Sequence, residues 1–123
     1  MAITDDIGDR KMIKTIGLLR AKPGYSREQF SQHWQNVHGA LSKNVPGIRR
    51  YVQNHVISDR PAQQGIPHLG MQIDGVVEMW YDSLADYELS RASSELKALH
   101  ADGVIFIGGS QGFIVDERDI IQR

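Results

Sequence analysis

The chain has 123 residues, 41% hydrophobic and 24% charged, which suits a single globular domain. Fourteen Lys and Arg stand against fifteen Asp and Glu, a balance that gives no basic footprint for nucleic acid or for an anionic membrane surface. Cysteine is absent, which removes disulfides, thiolate nucleophiles, iron–sulfur clusters and thiolate zinc sites together. No apolar run is long enough to span a membrane. Residues 1–11 lack the basic-then-apolar layout of a secretory signal, so the expected location is the cytoplasm.

In chain order, residues 1–10 read as a polar, poorly ordered arm and 11–123 as the domain. Residues 11–21 (KMIKTIGLLRA) predict a strand closed by Lys22-Pro23-Gly24, with Gly17 marking a bulge or a close backbone approach. Ser26 opens a helix, because Gln29 three residues on completes a capping box. Phe30, Trp34, Val37 and Leu41 then recur at helical spacing, and the helix stops before Val45-Pro46-Gly47.

Residues 48–57 predict a second strand, with Arg49, Tyr51, Gln53 and His55 on one face and Arg50, Val52, Asn54 and Val56 on the other. The connection 58–72 is long for an ordinary loop, which suggests a lid or binding role for a segment that includes His68. Residues 74–81 form a third strand with Glu78 near its centre. A helix follows over 83–100, broken or bent at Ser93-Ser94, then a separate helical turn over 102–107. Gly108-Gly109 ends that turn, and a last strand covers 113–116.

The order β-α-β-β-α-β matches the ferredoxin-like split unit, an α+β fold with a four-stranded antiparallel sheet and two helices on one face. The other face carries Ile13 or Ile16, Leu18 or Leu19, Val77, Met79 and Phe113. A face this apolar should not stay wet, so a second copy of the chain is the expected cover and a homodimer the expected state.

The run Phe30-Ser31-Gln32-His33-Trp34-Gln35-Asn36-Val37-His38, with Leu41, Pro46-Gly47 and Tyr51 after it, resembles the signature of the EthD family within the dimeric α/β-barrel superfamily. The segment from Asp74 to Ser83 is similar to that family's third strand, and Asp102 with Phe106 to its late acidic-then-aromatic element. The resemblance covers roughly residues 12–120. It implies a dimer of face-to-face sheets with a pocket between each sheet and its own helices. It also implies cofactor-free chemistry such as lactone isomerisation, cyclisation, dehydration or decarboxylation. The 58–72 connection departs from the family, and His68 has no counterpart there.

Fold analogy cannot choose among these reactions, so the residues must. His38 lies on the rim of the apolar stripe one turn after Trp34 and titrates near neutrality, which makes it the leading acid–base candidate. Tyr51 and His55 share a strand face, where a protonated phenol can hold an oxyanion and an imidazole can move a proton. Glu78, alone in an apolar strand, is the expected partner that orients an imidazole; a salt bridge to Arg49 or Arg50 is the structural alternative.

Arg49 or Arg50 could anchor a substrate carboxylate through paired hydrogen bonds. Trp34, Trp80, Tyr81 and Phe106 supply aromatic walls. Asp102 is a weaker acidic candidate that reads equally as a helix cap, His33 as an exposed flank, and His100 as a partner of a helix C-terminus.

Gly108-Gly109-Ser110-Gln111-Gly112 fits the nucleophile-elbow pattern but joins a helix to a final strand, with no His downstream. His33 and His38 are five apart rather than four, so no metal site is expected on that helix. Neither a Rossmann glycine fingerprint nor a P-loop is present, and no cofactor is expected. The reading is therefore a cofactor-independent lyase or isomerase acting on a small aromatic, phenolic or lactone-type acid. A cofactor-free monooxygenase, separable by oxygen consumption, and a non-catalytic ligand-binding accessory protein are the alternatives.

Overall fold

The computed structural model describes residues 5–123. One helical turn, α1 (Asp5–Gly8), precedes strand β1 (Ile13–Ala21). A helical run then passes through α2 (Arg27–His33), a π-helical turn (Trp34–His38) and α3 (Gly39–Ser42). Strands β2 (Ile48–His55) and β3 (Gly75–Tyr81) follow, then α4 (Leu84–Ala92), α5 (Ser94–Phe106) and β4 (Ile107–Val115). The sheet order is β2-β3-β1-β4 with every neighbouring pair antiparallel, the ferredoxin-like arrangement.

Local chemistry accounts for these elements. Gln29 N–H donates to Ser26 Oγ at 3.0 Å while Ser26 N–H donates to the Gln29 carboxamide at 2.9 Å, the capping box expected for the first helix. Ser93 separates α4 from α5: its extended backbone stops one helix, and its hydroxyl accepts from Leu96 N–H at 3.1 Å to start the next. Buried Asp74 ties three elements together. It accepts from Ala21 N–H at 2.7 Å and pairs with Arg27 at 3.1 Å, just before β3 begins.

Two boundaries differ from the sequence reading. Residues 102–107 are not a separate turn, since α5 runs unbroken to Phe106. Gly108 and Gly109 do not end a helix but lie inside β4, which starts at Ile107. A Cβ at Gly108 would sit 2.7 Å from the Ala21 carbonyl oxygen, so these glycines permit close approach to β1 where the register shifts. Of the arm read over residues 1–10, residues 1–4 lie outside the described residues; Asp5–Gly8 is helical and Arg10 pairs with Asp116 at 2.8 Å.

Strand alternation and register sort side chains between the two sheet faces. Ile13, Thr15, Leu19, Tyr51, Gln53, His55, Val77, Met79 and Tyr81 fall on the helix side. Lys14, Ile16, Leu18, Arg50, Val52, Glu78, Trp80 and Phe113 fall on the outer side. Val77 and Met79, expected on the uncovered face, therefore point toward the helices. The core has two parts. Leu19, Ala21, Phe30, Trp34 and Phe106 form one, and Val45, Leu96 and Leu99 the other.

Candidate active site

Between the sheet's inner face and helices α4 and α5 lies a cavity of about 710 Å³, within the size range of small-molecule sites. His38, Tyr51, Trp34, Met79 and Tyr81 line it, with Thr15 and Ser110 from the neighbouring strands. None of its lining side chains is Asp or Glu.

His38 owes its position to the π-helical turn. Gly39 N–H donates to the Trp34 carbonyl five residues back, so the turn is wider than α-helical. In an α-helix, residues five apart point about 140° away from each other. The i→i+5 turn instead stacks them, and His33 and His38 converge on one carboxylate. His38 Nδ1 lies 2.8 Å from Asp102 Oδ2, and His33 Nε2 lies 3.0 and 3.2 Å from the two Asp102 oxygens.

Asp102 and His38 are only 7% and 8% exposed, so the pair is shielded from water. An ionised carboxylate accepts only, which makes Nδ1–H the donor and leaves His38 Nε2 with a lone pair and no protein partner among the described residues. Burial is the larger influence on His38 and holds its pKa below the ordinary imidazole value; the Asp102 carboxylate pulls the other way. Phe106 meets the His38 ring edge-on at 5.2 Å and fixes its plane.

Tyr51 is set by Gln53. The Gln53 carboxamide N–H donates to the Trp34 carbonyl at 2.9 Å and to Tyr51 Oη at 3.2 Å, while His55 Nε2–H donates to the Gln53 carboxamide oxygen at 2.9 Å. With its oxygen engaged as acceptor, the phenol keeps its own proton to donate. Burial raises the Tyr51 pKa, opposed by Gln53, Trp34 and Ser42, so the hydroxyl stays protonated. His55 packs tilted against Trp34 with ring centroids 4.6 Å apart, reaches Tyr51 only through Gln53, and does not line the cavity.

The other expected site residues go elsewhere. Glu78 lies on the outer face, 2.9 Å from Lys14 Nζ and 2.9 Å from the Asn54 amide, and these contacts lower its pKa. It cannot orient His38, because the sheet stands between them. Asp102 takes that part, from the middle of α5 rather than from a helix cap. Trp80 is also on the outer face, under the Lys14 ammonium at 4.6 Å and the Arg50 guanidinium at 4.5 Å.

Arg49, beside an irregularity in the β2–β3 ladder, pairs with Asp82 at the surface. His68 is exposed in the 58–72 connection, where it accepts from Gly70 N–H at 2.9 Å. Four residues that the sequence reading placed elsewhere or passed over lie at the cavity or hold its neighbours: Arg91 and His100 line it, Gln53 donates to Tyr51, and His33 shares Asp102 with His38. Only His33 carried a signal, its spacing of five from His38, and reading it required the π-turn.

The family description for the EthD domain matches residues 22–110. The chain is 30% identical over 107 residues to the 4-carboxymethyl-4-methylbutenolide mutase of Pseudomonas reinekei, covering 86% of this chain and 98% of that one. An EthD family protein from Bacillus halodurans superposes with a TM-score of 0.66 at 23% identity, over 87% of this chain and 99% of the other. A dimeric ferredoxin-like protein of unknown function from Bacteroides fragilis superposes with a TM-score of 0.62 at 13% identity, over 88% and 98%. These two structural likenesses bear on the fold alone.

Proposed function

This chain belongs to the EthD family, and from that premise and the His38 cavity we propose that it is an acid–base isomerase of small lactone acids. The observation that carries the reading is the buried pair His38–Asp102, with the free imidazole nitrogen of a cavity-lining residue left as a base. Similarity to a butenolide mutase supports the substrate class.

The chemistry needs only proton transfer. His38 Nε2 takes a proton from the carbon between the substrate carboxylate and the lactone ring. The C–H electron pair forms a C=C bond as the ring C–O bond breaks, and the departing carboxylate oxygen accepts a hydrogen bond from Tyr51. Addition of a carboxylate oxygen to a different alkene carbon, with the proton returned from His38, closes the isomeric lactone. Asp102 keeps Nδ1 protonated and stabilises the imidazolium formed between the two steps.

A homodimer through the outer sheet face belongs to the same reading. That face leaves Phe113 43% exposed and sets Ile16, Leu18 and Val52 beside the Lys14–Glu78 pair.

Incubation with carboxymethyl butenolides in D₂O tests the chemistry. Wild-type protein incorporates deuterium next to the carboxylate and forms the isomeric lactone, and His38→Gln lowers both rates by about 10²–10⁴-fold. Unchanged exchange in His38→Gln, or none in the wild type, overturns the reading.

A further inference from the structure

Resting on the lactone-acid reading, we propose that Arg91 and His100 form the subsite that captures the substrate's carboxylate. Both line the His38 cavity, and no acidic side chain lines it with them. A cavity so composed attracts anions and offers no competing internal partner for a guanidinium.

Arg91 is available for such a ligand. Arg10, Arg27, Arg49 and Arg118 each pair with an Asp, whereas Arg91 has no ion pair or side-chain hydrogen bond among the described residues. The extended backbone of Ser93 lets α5 start just after Arg91, and His100 lies two turns along it. Arg91 is close enough for its charge to act on both His100 and Tyr81. Burial, then Arg91, lower the His100 pKa, which favours the neutral imidazole, a form that still carries one N–H. The Tyr81 hydroxyl donates to Met79 Sδ at 3.2 Å, so it does not compete for Arg91 as an anion.

The two arginines that the sequence offered for this task are committed elsewhere. Arg49 holds Asp82 at the surface, and Arg50 covers Trp80 on the opposite face of the sheet. A planar guanidinium can grip both oxygens of a carboxylate, which a lysine ammonium does less well. The structural alternative is that Arg91 only complements the C-terminal dipole of α4. That role gives no preference for charge in the cavity.

Phenylacetate and phenylacetamide have the same shape and differ in charge, so titrating both against the full chain separates these roles. Tryptophan fluorescence and the His100 ring signals report binding. Wild type binds phenylacetate about tenfold or more tighter than the amide; Arg91→Gln erases the preference and Arg91→Lys restores part of it. A preference that persists in Arg91→Gln, or a wild type that binds phenylacetate no better than the amide or not at all, overturns the proposal. His38→Gln keeps the preference while losing deuterium exchange, so failure of the lactone chemistry and failure of the carboxylate subsite give different results.

Discussion

The proposed base, His38, carries two opposing influences on its ring that are unequal. Burial disfavours the imidazolium more than Asp102 favours it, and the pKa falls below the free value of about 6.5. The acid limb of kcat/KM is therefore expected below pH of about 6.5, and a limb above that value contradicts the assignment. Between the lowered folded pKa and the unfolded one, the unfolded chain binds more protons at this residue. Its contribution to stability is thus lost as pH falls through that window. Replacing Asp102 by Asn removes the charged acceptor at 2.8 Å, so the limb shifts further down and turnover drops. A pH–rate profile of Asp102→Asn that overlays the wild type would show that the carboxylate does not act through His38.

At the scale of elements, one irregular turn decides the site. A regular α-helix over 27–42 would carry His33 and His38 on different sides, and the i→i+5 turn aligns them on Asp102. The same turn exposes the Trp34 carbonyl to Gln53, which sets Tyr51, so the positions of both His38 and Tyr51 depend on it. Gly75 is required beneath Trp34, where a Cβ would lie 2.5 Å from the indole ring. Gly75→Ala is expected to cost about 1–3 kcal/mol in urea unfolding through overpacking, and to lower activity as Trp34 shifts. Ser26→Ala, at an exposed cap far from the cavity, should cost about 1 kcal/mol and leave turnover unchanged. Equal effects of the two changes on activity would refute this division of labour.

For the whole molecule, the sheet separates two kinds of polar cluster. The inner face holds the imidazoles and phenol around a cavity, and the outer face holds Lys14, Glu78, Arg50 and Trp80 beside exposed Phe113. If the outer face is the dimer contact, Phe113→Arg yields monomers by sedimentation, while the wild type sediments as a dimer. Glu78→Gln, compared at concentrations where the dimer persists, keeps deuterium exchange of the same order as wild type. Loss of exchange on the scale of the His38 variant would return Glu78 to the chemistry.

The amino-acid sequence by itself determined the element order, the capping box at Ser26, the break at Ser93, the family, and two cavity residues, His38 and Tyr51. Each of these depends on near neighbours in the chain: hydrophobic period, a cap three residues away, a motif on one helix. It placed Glu78 opposite an imidazole and Trp80 in the pocket wall because strand alternation gives two faces without saying which one meets the helices. Only tertiary structure decided that, through the β1–β3 register that sends Glu78 to Lys14. It also decided that Asp102, far along the chain, would meet His38, and that a wide turn would bring His33 to the same carboxylate. Pairings of this kind are set by how elements pack, and residue spacing within one element carries no record of them.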